Sequence, residues 1–401
     1  MPIAGMVGGG QLARMTAQAA IGLGVTFRVL AASPSESAAQ VTHEVDLGTH
    51  LSLADVSSFA SECDVITFDH EHVPGEILVS LESAGVLVRP GSHALRYTQD
   101  KLVMRERLSG LGVPCPRFAA VSSLTDVESF ASAGAGAGTG TSAGAGGAAG
   151  WPVVLKAISG GYDGKGVWVC SSSAEAASVV ADAKSHEIAL MAEEFVPFRR
   201  ELAALVARSA SRQGAAYPVV ETVQVDGICR EVIAPAPGLH PVQAEQAVCL
   251  ALKIASELDV VGLLAVELFE IRSGGLLVNE LAMRPHNSGH WTMDGARTSQ
   301  FEQHLRAVLD LPLGAPTTVG EGYTVMANLL GGTDPDVYDR YIHVMAADPG
   351  AKVHFYGKEI RPGRKVGHVN VTGGPGDSVE SLRDRARRAV SYLRWGTENG
   401  E

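Results

Sequence analysis

Two glutamates in Ala265–Leu281, AVELFEIRSGGLLVNEL, are spaced so that chain geometry gives them a chemistry. If Ser273 and Gly274 form a two-residue hairpin turn, Glu267 stands directly opposite Glu280 on the paired strands. Two carboxylates facing each other across a strand pair repel unless something cationic lies between them. Paired oxygen ligands completed by phosphates are what Mg²⁺ prefers. The competing reading is a one-residue slip of register, which would turn one glutamate to solvent. Directly after Glu280 comes LAMRPHNSGHWT, where Arg284, His286, Asn287, Ser288 and His290 are too polar for a core strand. They read as a loop at a strand end, either a site or a hydrogen-bonded turn without a ligand.

A second group of chemically capable residues lies in Lys156–Gly166, KAISGGYDGKG. It has the glycines and lysines of a phosphate loop but not the G-x-x-x-x-G-K-[ST] order, because Gly166 follows Lys165. VVLKAISGGYDGKGVWV reads instead as strand, glycine turn and strand, a hairpin whose backbone N–H groups and lysines could cover phosphates. An ordinary surface hairpin would not need Lys156 inside an apolar strand, since a buried lysine requires an anionic partner. Further candidates are weaker. His70-Glu71-His72 has no third ligand cluster, so it reads as polar groups at a strand's carboxyl end and not as a metal site. Arg361, Arg364 and Lys365 place three cations in five residues, a solvated turn or a phosphate anchor. Gly8-x-Gly10-x-x-Ala13 nearly matches a dinucleotide fingerprint, yet the second strand ends in Leu30-Ala31-Ala32-Ser33, with no acid for the ribose.

These groups need elements to hold them. Residues 3–7, VTFRVLAA, DVITFDHEH and VLVRP read as four strands alternating with helices, a doubly wound parallel sheet over residues 1–95. YTQDKLVMRERLSGLG reads as one helix within a lid domain, 96–190. That domain is interrupted at 133–150 by an Ala/Gly run with too little side-chain mass to order itself. Residues 191–330 read as an α+β domain, and 331–401 as short strands followed by a C-terminal helix. The chain has 401 residues, of which 46% are hydrophobic, enough to bury more than one core. A net charge of −12 without a basic stripe argues against nucleic acid as a partner. Five scattered cysteines without C-x-x-C fit reduced thiols, and no long apolar segment or leader is visible. A soluble cytoplasmic protein without membrane contact is expected.

The glycine turn, the mobile hairpin with lysine, the two late glutamates and the Arg/Asn loop together resemble the ATP-grasp superfamily. VGGGQLARM, SGGYDGKG, NELAMRPHNSGHWT, LDLPLG and RPGRKVGHVN are similar, more narrowly, to the 5-(carboxyamino)imidazole ribonucleotide synthetase family, from residue 5 to about 372. The resemblance implies an α/β ATP-grasp ligase of de novo purine synthesis. Such an enzyme carboxylates aminoimidazole ribonucleotide (AIR) with bicarbonate through carboxyphosphate, with ATP and one or two Mg²⁺ ions and no biotin, as a homodimer. It implies that Lys101, Lys156, Gly160, Gly161, Gly164 and Asn279 meet ATP. It further implies that Glu193, Glu194, Phe195 and Val196 form the adenine hinge, Glu201 holds the ribose, and Glu267 and Glu280 bind the metal. Tyr162, Asp163, Lys165, Arg284 and His286 would surround bicarbonate and the AIR amine. Gly10, Gln11, Leu12, Glu71, Asn287, Ser288, Gly289, Lys358, Arg364 and Lys365 would hold AIR. The Ala/Gly insert and the EEF hinge depart from the family pattern. Three other readings compete: an ATP-grasp ligase for another amine or carboxylate, a nucleotide sensor without catalysis, and an NAD oxidoreductase. HNSGH and RPGRK oppose the first. The intact glutamates and lysines oppose the second, and the missing acid on strand two opposes the third.

Overall fold

The computed structural model describes residues 1–135, 150–161 and 164–397. Strands β1 (Ile3–Val7), β2 (Thr26–Ala31), β3 (Glu44–Leu47) and β4 (Val65–Phe68) form a parallel sheet in the order β3-β2-β1-β4. β4, VITF, is buried at every position, as a strand covered on both faces must be. The expected fourth strand, VLVRP, is reduced to a single parallel bridge from Val88 to Ile66 beside β4, and the fourth strand of the sheet is β3, at the opposite edge beside β2. A short, half-exposed edge strand carries little apolar signal, which is why EVDL is missed by patterning. The glycine turn after β1 leads into the helix Gln11–Leu23, which buries Leu12, Ala13, Met15 and Ala17 and stops at Gly24 in the left-handed conformation.

The segment read as one helix from Tyr97 is two, Ser92–Gln99 and Lys101–Gly110. Asp100 takes an extended conformation between them and its carboxylate accepts the Val103 N–H at 2.8 Å, an N-cap that restarts the chain in a new direction. Lys101 thus opens the second helix, its backbone N–H tied to the Ile158 carbonyl at 2.8 Å. A second sheet, β5 (Phe118–Val121), β6 (Val153–Ala157), β7 (Val167–Cys170) and β8 (Leu190–Glu194), runs β5-β8-β6-β7 and is antiparallel throughout. The β6–β7 pair is the glycine hairpin. The helix after β5, Leu124–Ala135, extends into the Ala/Gly run; residues 136–149, on which the expectation of disorder mainly falls, lie outside the described residues.

Among the described residues the largest sheet has nine strands: β9 (Phe198–Arg208), β10 (Gly214–Ala216), β11 (Val220–Val225), β12 (Ile228–Ala234), β13 (Gly262–Ile271), β14 (Leu276–Ala282), β15 (Thr324–Leu330), β16 (Lys352–Phe355) and β17 (Lys365–Thr372). Its path is β14-β13-β9-β11-β12-β15-β17-β16, so the C-terminal strands continue the sheet that carries the glutamates. The helix Val379–Trp395 packs across β15 and β17. No helix of the described residues is long and apolar enough to cross a membrane.

Candidate active site

Glu267 and Glu280 are partners across β13 and β14, but not by way of a two-residue turn. The Ile271 N–H donates to Gly275 and the Gly274 N–H to Ile271, so the loop is Arg272-Ser273-Gly274 with Gly274 at φ +88°. A β-bulge beyond Leu268 then restores the register: Leu268 pairs with Val278, Glu267 with Glu280, and Asn279 is the extra residue. The bulge places Asn279 and Glu280, neighbours that strict alternation would send to opposite faces, on the wall of one cavity.

Each carboxylate of the pair has a nitrogen partner. The Lys101 ammonium bonds Glu280, and His286 Nε2 lies 3.2 Å from Glu267. Burial pushes the Glu267 carboxyl up, but the His286 hydrogen bond and the charges of His286, Lys101 and Lys365 outweigh it, and Glu267 ends below its ordinary range. Glu201, opposite Phe269 on β9, goes the other way. Burial, then the Glu267 charge, push it to about 7. The region therefore carries more negative charge than its own cations neutralise, which suits a divalent metal. Among the described residues no three His, Cys, Asp or Glu side chains converge as a self-sufficient metal cluster. Glu267 and Glu280 thus fit an ion whose remaining ligands are substrate oxygens and water.

Two cavities meet at this pair. The narrower, about 370 Å³, lies between the hairpin sheet and the nine-stranded sheet. It is lined by Lys156, Gly164, Glu193, Glu194, Phe195, Val196, Glu201, Asn279 and Ser288. The wider, about 1100 Å³, is lined by Gly10, Gln11, Leu12, Glu71, Gly160, Gly161, Lys165, Arg284, Lys358 and Arg364. Lys101, Glu267, Glu280, His286, Asn287 and Lys365 line both. Of the residues expected at the site, Gly289 lines neither cavity; it is buried where a Cβ would lie 2.3 Å from the Gln300 amide oxygen. Tyr162 and Asp163 lie outside the described residues.

Lys156 has the anionic partner its burial requires. Its ammonium lies 2.6 Å from Glu193 and donates to Asn279 Oδ1 at 3.1 Å. Glu193 is itself 2% exposed, so its carboxylate serves the lysine and is not open to a base. Arg105, which sequence reading passed over, is fully buried and holds this arrangement. It bonds Glu193 at 2.6 Å and donates to the Val278 and Asn279 carbonyls, fixing the bulge. In the wider cavity Arg284 Nε donates to Glu71 at 2.6 Å. Burial raises the Glu71 carboxyl, but the Arg284 charge and hydrogen bond outweigh that and hold it below the ordinary range. Gln300 fixes His286 by accepting its N–H at 2.9 Å and donating to its carbonyl at 2.8 Å. Lys358 bonds Gln11. The N-terminus of the helix Gln11–Leu23 is taken by half-buried Asp69, which accepts the Ala13 N–H at 2.8 Å. Glu36 folds back onto the Gly9 N–H at 3.2 Å, so the glycine turn is closed by the chain's own acids and is no dinucleotide cradle. His70 stacks on His72 and meets His50 edge-on, and burial, then their charges, push it down to about 4, keeping it neutral.

A lysine-bearing glycine hairpin over an antiparallel sheet, with opposed glutamates on the strands beneath, defines an ATP-grasp ligase. Family models agree along the chain: a ribonucleotide synthetase preATP-grasp domain over residues 1–99, an ATP-grasp domain over 106–301 and a phosphoribosylaminoimidazole carboxylase C-terminal domain over 324–385. The N5-carboxyaminoimidazole ribonucleotide synthase of Mycobacterium tuberculosis is 52% identical over 398 residues, covering 98% of this chain and 88% of the relative. The synthetase structure from Thermus thermophilus matches with a TM-score of 0.82 at 36% identity, covering 98% of both chains. The Aspergillus clavatus synthase, solved with ADP and 5-aminoimidazole ribonucleotide, matches with a TM-score of 0.83 at 29% identity, covering 98% and 97%. The chain belongs to the N5-carboxyaminoimidazole ribonucleotide synthase family, and it is an ATP-dependent ligase.

Proposed function

We propose that this cleft carboxylates AIR with bicarbonate at the expense of ATP, through carboxyphosphate, giving N5-carboxyaminoimidazole ribonucleotide, ADP and phosphate in de novo purine synthesis. The observation that carries the reading is the junction of two polar cavities at one set of cations and carboxylates. A nucleotide in the narrower cavity would point its γ-phosphate toward the residues shared with the wider one, where an acceptor would be held. Phe195, Val196 and Glu201 would receive adenosine, while Lys101, Lys156 and the backbone of Gly160, Gly161 and Gly164 would receive phosphates. Glu267 and Glu280 would hold one or two Mg²⁺ ions, whose charge offsets that of the polyphosphate.

Bicarbonate is a poor electrophile, and transfer of the γ-phosphoryl group to its oxygen makes the carbonyl carbon reactive. Arg284, aligned by Glu71, and His286, aligned by Gln300 and Glu267, face the side where the new carboxylate forms, and their fixed N–H groups stabilise charge as it develops. The AIR amine then attacks, phosphate leaves, and the amine proton passes to a base, the role given to Asp163. Gln11, Lys358, Arg364 and Lys365 would hold the AIR ribose phosphate. Closure of the hairpin of the lid, 96–190, would keep water from carboxyphosphate. We place the enzyme in the cytoplasm as a homodimer. Tyr338, in the turn Tyr338–Arg340, and Ile342 and Met345, in the helix Tyr341–Ala347, are exposed and offer an apolar surface for a second copy.

The test is release of ADP and phosphate with bicarbonate and Mg²⁺, with and without AIR. Sharp stimulation by AIR with formation of an acid-labile product is expected. Stimulation by a different amine, with none by AIR, would overturn the assignment.

A further inference from the structure

A third cavity, about 980 Å³, lies between β12, β15 and the helix Val379–Trp395, and shares no lining residue with the two that meet at the glutamates. Its charge is unlike that of the chain as a whole. Against a net charge of −12, it gathers Arg230, Arg387, Arg388 and Arg394. Arg387 is neutralised by Glu231, which lies 2.5 Å away and also takes Arg383 at 2.7 Å, so that acid is spent. Among the described residues Asp384 is the only other acid on the cavity wall.

Arg230, Arg388 and Arg394 have no ion pair or hydrogen bond within the described residues. The Nε atoms of Arg230 and Arg394 are buried without a partner. Burial, and then repulsion by Arg230, lowers the basicity of Arg394, while the Trp395 ring 4.4 Å beneath its guanidinium holds it in place. At the floor, Asn328 is 3% exposed; its amide donates to the Cys229 carbonyl at 2.9 Å, and its buried Oδ1 has no donor. Arg230 and Arg394 are half-buried, and their two enclosed Nε donors without acceptors, together with a buried acceptor without a donor, cost stability in the empty protein. All three deficits would be met by one molecule carrying both an anionic fork and a hydroxyl or N–H group.

We propose that this cavity is a second ligand site, for a small phosphorylated molecule. Its phosphate is taken by Arg230, Arg388 and Arg394, and a hydroxyl or N–H of the same molecule donates to Asn328 Oδ1. Ribose 5-phosphate meets both demands; inorganic phosphate meets the first.

The test uses the full-length protein with the catalytic cleft filled by a non-hydrolysable ATP analogue, Mg²⁺ and AIR, so that anion binding there is blocked. Inorganic phosphate and ribose 5-phosphate are titrated separately by calorimetry. One site per chain for at least one probe is expected, and their relative affinity tells a free anion from a phosphorylated metabolite. An Arg230→Gln, Arg388→Gln double variant should bind roughly 10- to 100-fold more weakly, the range for loss of charged hydrogen bonds, with turnover unchanged. Arg388→Glu, at an exposed helix position, supplies the same test should the double variant fold poorly. Absence of binding by both probes, or equal affinity in the variants and the parent, would overturn the proposal.

Discussion

Glu201→Gln should stabilise the metal-free protein at alkaline pH and do little in acid. The carboxyl is displaced from its ordinary 4.5 to about 7, by burial first and by the neighbouring Glu267 charge second. A raised carboxyl favours the protonated folded state. Its contribution is therefore harmless below about pH 4.5, becomes adverse as pH rises from there to about 7, and is constant above that. At about 1.36 kcal/mol per pKa unit the full penalty is about 3 kcal/mol, of which roughly 1 kcal/mol is already present at pH 5. Glutamine cannot ionise, so the gain of the variant over the parent should grow by about 2 kcal/mol between pH 5 and pH 8. Glu267→Gln, by removing the second cause, should recover part of that growth when Glu201 is kept. The assay is urea unfolding of parent and variants in chelator at both pH values. An equal difference between Glu201→Gln and parent at the two pH values would show that Glu201 is not held in a repelling, water-poor setting. The argument for an excess of negative charge at the glutamate pair would then fall.

Glu280→Gln should leave the fold intact while raising the Mg²⁺ concentration needed for turnover, read from initial rates across a Mg²⁺ titration; unchanged rates at low Mg²⁺ would contradict the pairing role. Arg284→Ala should keep nucleotide affinity close to the parent while product formation falls by about 10²–10³-fold. Phosphate release should then exceed product, and a variant that loses ATP affinity but keeps one product per phosphate would place Arg284 on the nucleotide. Arg105→Met removes one partner of a buried ion pair and should destabilise by about 3–5 kcal/mol, seen as a lower unfolding midpoint. A shift under about 1 kcal/mol would mean that Glu193 is satisfied by Lys156 alone.

Sequence reading went furthest where a local rule controls the outcome. Period-two patterning and the Ser273-Gly274 signal located the β13–β14 hairpin, and the demand of Lys156 for an anion follows from its apolar strand whatever the topology. Yet the opposition of Glu267 and Glu280 arises from a three-residue turn offset by a bulge, and a bulge leaves no mark in hydrophobic periodicity. Most of the residues that the family motifs single out line two adjoining cavities, because the motifs sit at strand ends that the sheet topology gathers. What tertiary structure alone decided is which charges meet. Glu193 lies in the presumed hinge, but its carboxylate turns inward to Arg105 and Lys156 because neighbouring strands and a distant helix converge there. Arg105 reads as one of several charges on an amphipathic helix, and only packing against β8 and β14 makes it a buried anchor. Glu36 and Asp69 close the glycine turn through contacts 27 and 56 residues away in sequence. The arginines of the third cavity come from β12 and from the last helix, more than a hundred residues apart, so no spacing rule joins them. Local conformational preference is written in neighbouring residues; charge pairing over such distances exists only once the chain has folded back on itself.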